Sequence, residues 1–199
     1  MDRGVEEEPL KRTGPNKPAK SELREWLETI GIALVLALLL RTLVVQVYKV
    51  EGESMLPNFH TGEMVLVNKF IYKVRAPHPG EVVVLDDPMN PRRQLIKRVI
   101  AVAGETVEIK DDQVYINGRP LAEDYIDREL LRNETLPVQT VPAETIFVMG
   151  DNRGNSSDSR RIGPIPVTKL EGKAFFRYWP LSAFGRTPLD LGRSYQAKP

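Results

Sequence analysis

In VEGESMLPNFHTGEMVLVNKF, residues 50–70, Ser54 stands two positions after a glycine and three before Pro57, where a loop feeds an apolar strand. Gly52 allows close backbone approach and an unusual dihedral, and Pro57 fixes the chain beyond the serine. Such a serine can be a nucleophile, and it can equally be a hydroxyl that caps a turn. A nucleophile needs a base. The chain holds only two histidines: His60, six residues away on the same loop, and His78, in a turn between Pro77 and Pro79. Both read as solvated surface groups, poorly placed for a Ser-His-Asp triad.

QLIKRVIAVAGE, residues 94–105, offers another base. Lys97 and Arg98 interrupt a strand of Leu95, Ile96, Val99, Ile100 and Val102, and alternation points them to opposite faces. Burial disfavours an ammonium ion, so a lysine turned inward becomes partly neutral near neutral pH, whereas arginine keeps its proton. Lys97 is therefore the member of the pair able to act as a general base in a Ser-Lys arrangement. The competing reading is an edge strand with both charges in water.

A third polar stretch is MGDNRGNSSDSR, residues 149–160, after the strand TIFV. A calcium loop would place Asp151, Arg153 and Asn155 at ligand positions, and arginine is the wrong chemistry there. A phosphate-cradling loop lacks its lysine and helix. The remaining readings are a solvated loop or a polar network, in which Ser156, Ser157 or Ser159 orients a lysine amine while Asp158 and Arg160 pair to hold the loop. Cysteine is absent and no H-E-x-x-H spacing occurs, so neither a metal nor another cofactor is expected.

The elements that must position these groups are short strands. EMVLVNKF (63–70), EVVVLD (81–86), QLIKRVIAVA (94–103), TVEIK (106–110), QVYING (113–118), TIFVMG (145–150) and GKAFFRYW (172–179) are rich in Val, Ile, Phe and Tyr. They predict a mostly β, mainly antiparallel domain. Asp111-Asp112 predicts a hairpin and Asn117-Gly118 a second tight turn. Residues 122–143, with EDYIDRELLRNE, read as a loop or one helical turn without chemistry. The formal charge of +1, from 28 basic and 27 acidic residues, gives no field that favours nucleic acid.

IGIALVLALLLRTLVVQV, starting at Ile30, is apolar apart from Arg41, Thr42 and Gln46. With Trp26 and Leu27 as an interfacial start and Arg41 reaching the far surface, it predicts a transmembrane signal-anchor helix over residues 24–44. No small-x-small cleavage site follows it, so the segment stays attached. Basic residues crowd the N-terminal side (Arg3, Lys11, Arg12, Lys17, Lys20, Arg24), which puts the N-terminus in the cytoplasm. Residues 1–23 then form a disordered cytoplasmic tail, Ser21 caps the helix, and residues 45–199 form a domain on the outer face of the plasma membrane.

Ser54 in SMLP, Lys97 in KRVIAVAGE and GDNRGNSSDSR occur in that order after one apolar segment, and together they resemble the type I signal peptidases. The resemblance covers about residues 21–179, including GEVVVL at 80–85 and the DDQVYINGRPL hairpin. It implies a membrane-anchored serine endopeptidase that removes signal peptides from exported preproteins, on that family's antiparallel β fold. Carried onto this chain, Ser54 is the nucleophile and Lys97 the general base. Ser156 hydrogen-bonds the lysine, Asp158 and Arg160 form a structural ion pair, and the Ser54 backbone N–H stabilises the oxyanion. Gly52 stands where part of the family places an assisting serine hydroxyl, so the second oxyanion donor is left open. Asn58 replaces a threonine common after the proline. Val50, Met55, Phe59, Leu95 and Ile96 match positions lining one shallow pocket, and Tyr48, Val65 and Val83 the neighbouring one; two small pockets account for an A-x-A preference.

The chain resembles minimal members that lack a large inserted β domain. Its implied partners are the signal peptides of preproteins, which would add as an extended strand beside the Ser54 and Lys97 segments, together with the lipid bilayer and the export translocon. Two other functions compete: a Ser-Lys peptidase dedicated to one exported substrate, and an inactive membrane-tethered β module that only binds exported chains.

Overall fold

The computed structural model describes residues 19–187, with the side chains of 19–21, 39–43 and 186 outside the description. The chain divides into two units, Met1–Leu39 and Leu40–Pro199. Most of the expected tail lies outside the described residues. Helix α1 spans Ala19–Val44, so it starts before Ser21, which lies within the helix and not at its N-cap. Its described apolar side chains are exposed on every face: Leu34, Val35 and Leu36 are consecutive and 61%, 56% and 54% exposed. Among the described residues no helix is long and apolar enough to cross a membrane. Arg41, expected at the outer end of a span, falls outside the described side chains.

The second unit is built on two antiparallel sheets. Its strands are β1 (Val45–Lys49), β2 (Met64–Asn68), β3 (Val82–Asp87), β4 (Asn90–Val102), β5 (Thr106–Lys110), β6 (Gln113–Ile116), β7 (Arg119–Pro120), β8 (Leu136–Thr140), β9 (Thr145–Met149), β10 (Ile165–Pro166), β11 (Leu170–Trp179) and β12 (Gly185–Arg186). Single helical turns α2 (Ile71–Val74) and α3 (Ser159–Ile162) interrupt them. The large sheet runs β1-β2-β11-β3-β4-β9-β10, with β12 on β11; the small one runs β7-β6-β5-β8. All seven expected apolar runs contain strands. Both predicted turns join strands through two residues in the left-handed region, Asp111-Asp112 (φ 47° and 66°) and Asn117-Gly118 (φ 51° and 76°), the geometry that matches sheet twist.

Burial follows the sequence pattern. MVLVN of β2 alternates, burying Val65 and Val67. VVVL of β3 is buried throughout because both faces of that strand are covered. Val82 and Val84 join a core with Val50, Met55, Phe59, Val65 and Ile96, and Val83 and Leu85 join another with Val99, Ile146 and Val148. A third core, under the small sheet, includes Ile100, Val107, Ile109 and Phe147. Two features of the large sheet matter for the site. Among the described residues β1 pairs only with β2, and β4 pairs with β9 only from Arg98 onward, so Arg92–Lys97 keep one edge free of described strands.

Candidate active site

Ser54 lies in the loop between β1 and β2. Val50 N donates to Glu63 O at 2.8 Å and Gly62 N to Val50 O at 2.9 Å, which closes the base of that loop. Met55 and Phe59 are fully buried and pin it to the core, leaving Ser54 half-buried. Gly52 has φ +89°, a conformation side chains rarely adopt, so a serine there would strain this loop.

Lys97 projects from β4 to the same place. Its Nζ donates to Ser54 Oγ at 2.7 Å and to Ile96 O at 3.0 Å. The side chain is only 2% exposed. Burial pushes the amine down to about 8; Arg93 and Arg160 push the same way, and Asp158 and Asp151 oppose them. A serine hydroxyl thus touches an amine that is neutral in a substantial fraction at mildly alkaline pH, the requirement for proton transfer. Neither histidine bonds Ser54: exposed His60 leans toward Glu63 at 3.6 Å, and His78 is exposed in its turn.

Arg98, next in the chain and on the opposite face of β4, is as buried as Lys97. The reason is Asp151, which receives Arg98 Nε at 2.8 Å and Nη2 at 2.7 Å in a bidentate pair. The guanidinium carbon also sits 4.3 Å from the centre of the Tyr125 ring. Sequence reading missed this pair because its members are 53 residues apart. It also passed over Glu123 and Tyr125, assigned to a segment without chemistry: the Glu123 carboxylate, its side chain 5% exposed, pairs with buried Arg153.

The loop after β9 packs on the Ser54 segment. Asn152 N donates to Ser54 O at 3.0 Å, Asn152 Nδ2 to Glu53 O at 3.1 Å, and Asn155 Nδ2 to Glu53 Oε2 at 3.2 Å. Asp158 is fully buried, accepts Arg160 Nε and Nη2 at 2.8 Å each, and takes Gly150 N at 2.9 Å. Burial alone would raise its carboxyl, but Arg160, with the Gly150 N–H and the Ser156 hydroxyl, outweighs it and holds the group below the usual carboxylate range. Ser156 departs from expectation. Its Oγ is buried and makes no hydrogen bond to Lys97; the hydroxyl acts instead on Asp158, where it helps to hold the carboxyl low.

A groove of about 630 Å³ opens over Ser54 and Lys97, with Glu51, Gly52, Arg93, Leu95 and Ile96 in its wall. A second hollow, about 410 Å³, shares Glu51, Arg93, Leu95 and Ile96 and adds Tyr48, Val50, Val65 and Val84. The expected wall residues therefore meet here, with three exceptions. Met55 and Phe59 lie in the core and not in the wall. Val83 points to the opposite face of β3, and Val84 occupies the wall, because a strand turns adjacent side chains to opposite sides.

Residues 23–179 match a family model described as signal peptidase, peptidase S26. Signal peptidase I of Leptolyngbya laminosa is 36% identical over 190 residues, covering 89% of this chain and 93% of that protein. Signal peptidase I T of Bacillus subtilis is 37% identical over 189 residues, covering 89% and 97%. Signal peptidase IB of Staphylococcus aureus is 36% identical over 181 residues, covering 83% and 94%. A crystal structure of a signal peptidase I from Enterococcus faecalis V583 is 32% identical, spans 50% of this chain and 97% of its own, and superposes with a TM-score of 0.44.

Proposed function

The chain belongs to the signal peptidase family, peptidase S26, and from that premise we propose a membrane-anchored Ser-Lys endopeptidase that cuts exported preproteins after small-x-small sites. The observation that carries this reading is the 2.7 Å contact between Ser54 Oγ and the Nζ of a lysine that is 2% exposed. Neutral Lys97 takes the Ser54 proton as Oγ attacks the scissile carbonyl. The Ser54 backbone N–H faces the developing oxyanion. Lys97, now an ammonium, protonates the leaving amine; it then takes a proton from the water that hydrolyses the acyl-enzyme. Asp158 and Arg160 hold the neighbouring loop in place.

The free edges of β1 and of Arg92–Lys97 support an extended substrate between them, with main-chain hydrogen bonds for affinity and the Tyr48–Val65–Val84 hollow for a small side chain. Membrane anchoring is supported by the apolar run from Ile30 and by its exposure on every side of α1. The basic flank keeps the N-terminus cytoplasmic and the catalytic unit outside, where preproteins leave the export translocon.

The test is cleavage of a signal-peptide substrate ending in A-x-A, in detergent, by wild type, Ser54→Ala and Lys97→Met, each checked for folding. Wild type cuts at that bond and both variants lose at least a thousandfold in kcat. Retained activity in folded Lys97→Met would overturn the assignment of the base.

A further inference from the structure

Ser54 and Lys97 come from segments 43 residues apart, so their contact depends on whatever holds the two segments together. Asn58, four residues after Ser54 on the same loop, makes that connection. Its Nδ2 donates to Asp151 Oδ2 at 2.8 Å and to the Tyr125 carbonyl at 2.7 Å, which uses both amide protons. Its backbone carbonyl accepts Arg177 Nη1 at 2.7 Å. Asp151 is in turn gripped by Arg98, the residue beside Lys97, and Arg98 lies under the Tyr125 ring and donates to Gly80 O at 3.0 Å. The contacts close on themselves: Asn58 to Asp151 to Arg98 to Tyr125 and back to Asn58. Asp151 and Arg98 are 1% and 0% exposed, so this circuit has little freedom to relax.

We infer that Asn58 is a positioning residue that sets the Ser54 Oγ to Lys97 Nζ distance through Asp151 and Arg98. The inference rests on the Ser-Lys reading. Asn58 does not line the groove over Ser54; it lines a separate hollow with His60 and Arg177, so it acts without touching substrate. The site also explains the residue type. Facing a carboxylate and a carbonyl, the side chain must donate twice, which asparagine does and threonine, with one hydroxyl proton, does not. A displacement of about 1 Å between reacting groups costs on the order of a hundredfold in rate.

The experiment measures kcat, KM and thermal midpoint for wild type, Asn58→Ala and Asn58→Thr on one signal-peptide substrate, with Ser54→Ala as control. The expected order of kcat is wild type, then Asn58→Thr, then Asn58→Ala at least tenfold below wild type, with KM within twofold throughout. Threonine recovers only part of the rate because its single hydroxyl, one bond shorter than the amide, replaces at most one of the two donors. Wild-type kcat in folded Asn58→Ala overturns the inference, as does a loss that falls on KM or merely follows the fraction unfolded. If Asn58→Ala does not fold, Asn58→Thr decides: a several-fold lower kcat at unchanged KM and midpoint supports positioning, and wild-type kcat overturns it. A wild type that fails to cleave, or a Ser54→Ala that still cleaves, rejects instead the Ser-Lys reading beneath it.

Discussion

In the proposed mechanism Lys97 accepts the Ser54 proton only while its amine is neutral, and burial favours that form by lowering the group from the ordinary 10.5 to about 8. At pH 7 about a tenth of the molecules carry the free amine, and the fraction grows tenfold per unit until it saturates above 8. The value of kcat/KM therefore rises with pH through a limb centred near 8. Arg93, on β4 at the groove wall, adds to this through its positive charge, while Asp158 and Asp151 pull the other way. Replacing Arg93 with Gln removes an influence that disfavours the ammonium form, so the Lys97 pKa rises and the limb moves to higher pH. At pH 7 the rate falls by about twofold. Arg93→Lys keeps the charge and leaves the limb in place. A pH profile of kcat/KM for the three forms checks the sign; a limb that stays put in Arg93→Gln would remove Arg93 from this role.

The loop that follows β9 holds the site together at close quarters, and Gly150 shows how close. A Cβ built there would lie 2.4 Å from Ser54 O and 2.4 Å from Ser156 Oγ. Because one of those atoms is backbone, the Ser54 segment itself must shift. Gly150→Ala is therefore expected to lower kcat by more than tenfold and to reduce the thermal midpoint, measured by peptide cleavage and by melting; near-normal turnover would mean the loop yields without moving the serine. Much at this scale was legible beforehand. The strands showed in runs of Val, Ile and Phe, and the tight hairpins in Asp111-Asp112 and Asn117-Gly118. β8 was not, because LPVQT carries a proline and polar residues and pairs with β5 only through tertiary context. The Val83 position misled because VVVL has no alternation from which to choose a face. The lysine and serine could be picked out from their local surroundings, but the Asn58, Asp151, Arg98 and Tyr125 circuit could not. Each of its residues looks ordinary locally, and only folding brings segments 53 and 93 residues apart into one network.

At the scale of the whole chain, a unit with its own buried cores follows a helix whose described apolar side chains are exposed. Leu23, Trp26, Leu27, Ile30, Ile32 and Leu38 are 50–68% exposed, and leaving so much apolar surface in water is unfavourable by about 25 cal/mol per Å². In the proposed anchored arrangement a bilayer would remove that cost and would bring the peptidase to substrates that are themselves apolar. Ser54 follows the end of α1 by ten residues, a tether of at most about 35 Å, so anchoring would confine the serine near the membrane surface. The prediction concerns partitioning. Full-length protein is expected to remain with membranes through alkaline carbonate washing. The double variant Leu34→Arg, Leu36→Arg, at about 2.5–3.5 kcal/mol for each arginine near the helix centre, loses on the order of ten-thousandfold in partitioning and moves to the supernatant. Because those positions lie outside the peptidase unit, the released variant should still cut a short soluble A-x-A peptide while losing activity on membrane-inserted preprotein. Release with both activities intact would show that the helix serves neither anchoring nor substrate encounter. Loss of both would tie the helix to the integrity of the Ser54 and Lys97 site itself.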